Sequence, residues 1–176
     1  MVLRPKLPAF AILCSLVALA QPGAAQIGGM ITGHDVDRVV ELASAYGPAT
    51  RRFDDAGDGP WIRAEMDDVV YTITFLNCTG GENCASVQLR AWWESGGVHT
   101  LEQMNAWNRD RRFGAAYLDA DQNATVEFDV NLAGGVTAAN FDDTLQWWQV
   151  VLRGFVNEVI EPGYGAAGSG RPALSK

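Results

Sequence analysis

Between Asn105 and Val136 the chain reads NAWNRDRRFGAAYLDADQNATVEFDVNLAGGV, and this stretch has almost no slack. Arg109, Arg111 and Arg112 gather at a helix C-terminus, where cations meet the negative end of the helix dipole. Ala115 to Ala120 and Thr125 to Leu132 then read as a hairpin turning through Asp121-Gln122-Asn123. In its second strand Val126, Phe128, Val130 and Leu132 share the inward face, and Glu127, Asp129 and Asn131 face water. Gly134-Gly135 lead to Thr137, an N-cap for a long helix reaching about Ile160, where Pro162 forbids continuation. A hairpin held between two helices requires a sheet on which those helices can pack.

The preceding residues supply that sheet. Thr32 is expected to cap a helix through about Tyr46, with Val36, Val39, Val40 and Ala43 on one side and Gly47-Pro48 ending it. Ala49 to Asp54 reads as a short edge strand, and Asp54 to Pro60 as a loop. Trp61 to Met66, Val69 to Leu76 and Ala85 to Trp93 each alternate in polarity, as strands of an antiparallel meander do. Thr100, with Gln103 three residues later, forms a capping box that opens a short helix ending near Asp110. The resulting order, α-β-β-β(-β)-α-β-β-α, defines an α+β fold: an antiparallel sheet with helices on one face.

The N-terminus has a different character. Arg4 and Lys6 precede an apolar run, Ala9 to Ala20, that is short for a membrane span, and Ala24-Ala25 offer the small residues a signal peptidase accepts. Residues 1–25 are therefore expected to be a signal peptide, which places the mature chain in the periplasm or outside the cell. With Arg4 and Lys6 removed from the 13 basic residues, 11 remain against 21 acidic ones, a net charge of −10. Such a surface repels phosphate backbones and argues against nucleic acid as a partner. No later apolar run has the length of a membrane span.

Cys78 and Cys84 flank Thr-Gly-Gly-Glu-Asn between two strands. In an exported chain the simplest reading is a disulfide across a hairpin tip, worth about 2–3 kcal/mol by loop entropy. The C-x5-C spacing differs from the C-x-x-C of redox pairs, and His34 and His99 fit no nearby zinc-ligand spacing. Asp119-x-Asp121-x-Asn123 imitates the start of a calcium loop, but Ala124 replaces the turn glycine and Val130 stands where the bidentate glutamate belongs. Neither a metal nor a cofactor is expected. The chain also lacks a G-x-S-x-G elbow, an H-E-x-x-H helix, a phosphate loop and a dinucleotide fingerprint, and both histidines read as surface residues beside helix caps. The sequence argues against an enzyme.

Trp107-Asn108-Arg109-x-x-Arg112-Phe113, Ala116-Tyr117-Leu118-Asp119 with the turn after it, and Leu132-Ala133-Gly134-Gly135-Val136 recur in this order and spacing in the YbjN domain family of bacteria, which the chain resembles. The Trp61-Ile62 strand and the cysteine-tipped hairpin are similar to family elements too. The resemblance runs from roughly residue 31 to 160, which makes 26–162 the domain and 163–176 a glycine-rich tail expected to be disordered. It departs from many relatives in having Gln122-Asn123 where they carry Asp-Gly; Asn tolerates the positive φ such a turn needs. The resemblance implies a sheet architecture similar to type III secretion chaperones, which are small dimeric protein-binding folds, and a role in sensory-transduction regulation.

Two groups of residues are candidates for function. Trp92, Trp107, Asn108, Arg109, Arg111 and Arg112 would form a binding surface if the guanidinium groups stack on tryptophan or grip a partner carboxylate. The alternative is structural: the arginines complement the helix dipole and the asparagines fasten loop backbone. On the last helix, Phe141, Leu145, Trp148, Leu152, Phe155 and Val159 form the core-facing stripe. Trp147, Val150 and Val151 widen the apolar arc beyond it, and Gly154 would admit another backbone. That face is either a homodimer or client surface, or the flank of a deeply buried helix. The function expected is an exported, non-enzymatic module that binds a protein or peptide. The alternative is a small-ligand sensor or hydrolase with a pocket near Trp107.

Overall fold

The computed structural model describes residues 28–53 and 59–163. The expected signal peptide and its cleavage site near Ala25, most of the Asp54–Pro60 loop, and the tail beyond Gly163 lie outside the described residues. Among the described residues eight strands and three helices follow in the order β1 (Met30–Ile31), α1 (Val36–Ser44), β2 (Ala49–Phe53), β3 (Pro60–Met66), β4 (Val69–Cys78), β5 (Cys84–Trp93), α2 (Leu101–Asp110), β6 (Ala115–Leu118), β7 (Ala124–Asn131), β8 (Val136–Thr137) and α3 (Ala138–Phe155). A π-helical turn, Val156–Ile160, continues α3.

Strands β2 to β7 make one antiparallel sheet in the order β2-β3-β4-β5-β7-β6. The first four are the expected meander. The hairpin of β6 and β7 then docks through its second strand, so α2 carries the chain over the place that β7 later fills. Alternation puts Ile62, Ala64, Met66, Tyr71, Ile73, Phe75, Val87, Leu89, Ala91, Trp93 and Val126 on one buried face. All three helices lie on this side, and α3 contributes Phe141, Leu145, Trp148, Leu152 and Phe155 to the core. The chain is therefore an α+β fold with helices on one sheet face. β1 and β8, which the sequence did not signal, pair as a two-residue ladder that pins the start of the domain to the start of α3.

Several local expectations change. The N-cap position of helix α1 is Asp35 rather than Thr32, and the Asp35 carboxylate turns back to accept hydrogen bonds from the Thr32 backbone N–H (2.8 Å) and hydroxyl (2.6 Å) instead of bonding to the helix end. The positive φ of the β6–β7 turn falls on Gln122 (62°) rather than Asn123. Asp119 shapes that turn by accepting from the backbone N–H groups of Asp121 (3.0 Å) and Asn123 (2.9 Å). Burial of the Asp119 carboxyl opposes ionisation, but these donors hold its pKa below the usual carboxylate range. His34 is exposed as expected, but His99 is only 3% exposed and lies against Gly163, where an added Cβ would stand 2.3 Å from its ring. Gly163 is thus a buried part of the last helix and not the first residue of a tail. Burial holds the His99 imidazole below its ordinary pKa, in favour of the neutral form.

The capping box at Thr100 and Gln103 forms in both directions, with the Thr100 backbone N–H donating to the Gln103 side chain (2.8 Å). Cys78 and Cys84 are bonded across β4 and β5, where they are register partners.

Candidate interaction site

Helix α2 ends against β6, and its last turn is occupied by internal contacts. The Asn108 carboxamide donates to the Ala116 carbonyl (2.9 Å) and accepts from the Ala116 N–H (2.7 Å), an imitation of a neighbouring strand on the outer edge of β6. Arg109 forms a bidentate pair with adjacent Asp110, at 2.8 Å to each oxygen. That contact lowers the Asp110 pKa and raises the Arg109 pKa.

Arg111 meets both chemistries expected of a guanidinium here, within its own chain. It lies over the Trp107 ring at 5.9 Å and grips Glu158, after α3, through two hydrogen bonds of 2.9 and 2.6 Å. Trp107 is 4% exposed, makes an edge contact with Phe155 (5.2 Å) and fills the space above Gly154, where an added Cβ would stand 3.0 Å from the ring. Gly154 therefore admits an indole from the same chain rather than another backbone. Val151 is buried beside Gly114, so it too belongs to the core and not to a partner face.

Trp92 is placed elsewhere. It follows the parity opposite to buried Trp93 and lies on the far face of the sheet, with the Arg90 guanidinium 5.5 Å from its ring. Trp92 and Trp107 thus lie on opposite sides of the sheet and do not share one surface. On that far face Tyr117 donates to Glu127 (3.0 Å) and Arg90 reaches Asp119 (4.0 Å).

The remaining candidates converge where α3 passes β7. Phe113 has φ of 69°, a left-handed conformation that costs a bulky side chain about 1–2 kcal/mol. Its ring stacks on Phe128 (6.0 Å) and meets Trp147 at a tilt (4.6 Å). The Arg112 guanidinium lies 4.7 Å from the Phe113 ring centre. Phe113, Trp147 and Val150 stay 40%, 41% and 58% exposed. The sequence marked Trp147 and Val150 by their position outside the core stripe. It missed Phe113, whose only signal is the Gly114 that follows a bulky residue.

This arrangement supplies an apolar surface with a guanidinium at its rim, suited to polypeptide contact. The YbjN family model, described as "putative bacterial sensory transduction regulator", matches residues 35–161, and the chain belongs to that family. No curated protein matches it. The family description is that of a regulator and names no reaction. Among the described residues no helix is long and apolar enough to cross a membrane.

Proposed function

We propose that this YbjN-family chain is an exported, non-enzymatic module that binds a protein or peptide in a regulatory or chaperone-like role. The family description supports the regulatory part. The charged n-region, apolar run and small residues before Gln26 support export to the periplasm or beyond.

One observation carries the binding part: Phe113 and Trp147 meet outside the core with Val150 one turn further along the same face of α3, and Phe113 holds an unfavourable backbone conformation there. Folding alone gives little reason to keep these side chains in water. The candidates at Asn108, Arg109 and Arg111 are engaged internally, whereas Trp147 and Val150 face outward.

The test is a photoreactive phenylalanine at position 150 in the exported full-length chain. Discrete polypeptide adducts are expected, and Trp147→Ser should diminish them. If illumination yields no adduct beyond that of a control at exposed Glu102, the surface is not a polypeptide site.

A further inference from the structure

The sheet has a second face, and no described helix covers it. Register sets Trp61 opposite Thr74, Arg63 opposite Thr72, and Thr72 in turn opposite Arg90, all with parity opposite to the buried residues. Thr72 on β4 therefore has an arginine on each side, one on β3 and one on β5. The two tryptophans extend this row in opposite directions. Strands β3 and β5 run parallel to each other, since each is antiparallel to β4, but Trp61 precedes Arg63 whereas Trp92 follows Arg90. By strand spacing the Cα atoms of Trp61 and Trp92 stand about 16 Å apart, with Thr72 at the midpoint of the line between them. All five side chains are partly exposed.

The chain carries a net charge of −8, yet this part of the face is basic. Arg52, exposed and opposite Trp61, adds a third guanidinium, and the one carboxylate on β3 is Glu65, beyond Arg63. Arg63 forms no ion pair with another described residue. Arg90 is only partly satisfied within the chain: it reaches Asp119 at 4.0 Å, lies 5.5 Å from the Trp92 ring centre, and its Nε–H finds no acceptor among the described residues. The acids towards β7 are engaged already. Glu127 accepts from Tyr117 (3.0 Å), Asp129 from Gln88 (3.2 Å), and Asp119 from the backbone of its own turn. Arg63 and Arg90, about 10 Å apart at their Cα atoms, repel each other weakly and would gain from a carboxylate set between them.

An extended peptide has the matching shape. Its residues i−2, i and i+2 share one face and span about 13 Å, and side-chain reach covers the difference from the longer line on the sheet. A carboxylate at position i would meet Arg63 and Arg90 with the Thr72 hydroxyl between them, while aromatic rings at i−2 and i+2 lie on Trp61 and Trp92. A small free anion would use only the centre and leave both tryptophans in water. We infer that this open sheet face is a docking site for an extended peptide with an acidic residue at its centre and an aromatic residue two positions to either side. The site goes beyond the surface at Phe113 and Trp147, from which the sheet divides it.

Amide NMR of the exported chain tests it, with a capped seven-residue peptide as the probe: glutamate at the centre, phenylalanine two positions to either side, threonine between them and glycine at both ends. Shifts should be confined to β3, β4 and β5 and follow a Kd of about 100 micromolar. A peptide with glutamine at the centre should bind about tenfold more weakly, and Trp61→Ala should weaken the parent peptide severalfold. Arg63→Gln, which takes no partner from the fold, should weaken it about tenfold, as should Arg90→Gln. The amide spectrum reports whether each variant is folded, and Arg63→Gln decides if Arg90→Gln is not. Four results overturn the inference: no shifts at about 1 millimolar peptide; equal binding of the glutamine peptide; binding indifferent to Arg63→Gln; or inorganic phosphate moving the same amides at the same concentrations, which would make the arginines a small-anion site. Crosslinking at position 150 is read on the other side of the sheet, so either reading can fail while the other stands.

Discussion

Arg111 and Arg112 are neighbours, and each sets its guanidinium over an aromatic ring, Trp107 for the first and Phe113 for the second. The first pair turns inward: Trp107 is buried on Phe155 and Gly154, and Glu158 clamps the arginine from the other side. The second turns outward: Phe113 lies on the surface in a left-handed conformation, and no described carboxylate meets Arg112. Residue type does not separate them; what lies around each ring does. An arginine–aromatic pair is a fastening when the ring is buried and the cation is neutralised within the chain. It becomes a contact surface when both stay in water.

The largest effect should come from the inward pair. Trp107→Ala removes a buried indole from between Phe155 and Gly154, and large-to-small changes of this kind cost about 3–5 kcal/mol. Denaturant unfolding measures it. A loss under 1 kcal/mol would mean that the ring is not structural, and the contrast between the two halves would collapse. Next is Asn108→Ala, which leaves the N–H and C=O of Ala116 without their partner on the β6 edge. About 1–3 kcal/mol is expected, together with faster amide exchange at Ala116.

Much of this molecule was legible in its sequence, and the exceptions share a cause. Strand alternation, the Thr100–Gln103 box and the Thr137 cap are local patterns set by residues within a few positions of one another, and the structure reproduces them. The insertion of β7 beside β5, the ladder between β1 and β8, and the burial of His99 beneath Gly163 depend on residues far apart in sequence. Periodicity carries no information about such meetings. The candidate site divides the same way. Trp147 and Val150 could be marked by helical phase alone, but that Gly154 receives Trp107 and that Trp92 faces away from it required the packed sheet. The π-helical turn also breaks a simple helical count, since it buries both Val159 and Ile160 in succession.

The Arg111–Glu158 bond gives a smaller test of the inward half. Both groups are nearly half exposed, so solvent screening limits its worth despite bidentate geometry. Glu158→Gln should cost no more than about 1 kcal/mol, and raised salt should shrink the difference. A larger loss would show that the pair orients Trp107 rather than covering it.

The outward ring gives the sharpest separation of the two halves. Phe113→Gly releases a left-handed backbone worth about 1–2 kcal/mol. It forfeits ring contacts with Phe128 and Trp147 worth about 0.5–1.5 kcal/mol each, less for a ring that is partly in water, and it adds backbone freedom to the unfolded chain at about 0.5–1 kcal/mol. With the apolar area of a ring that is only 40% exposed also lost, the net loss should be about 1–2 kcal/mol, well below that of Trp107→Ala. Polypeptide capture at position 150 should nevertheless fall, because the surface loses the ring that joins Trp147 to Arg112. Unfolding and crosslinking measured on the same preparation separate the two quantities. If stability falls as far as it does in Trp107→Ala, Phe113 is a second Trp107, and the outward pair is a fastening like the inward one. If stability holds while capture is lost, the left-handed backbone at Phe113 is maintained for contact rather than for the fold.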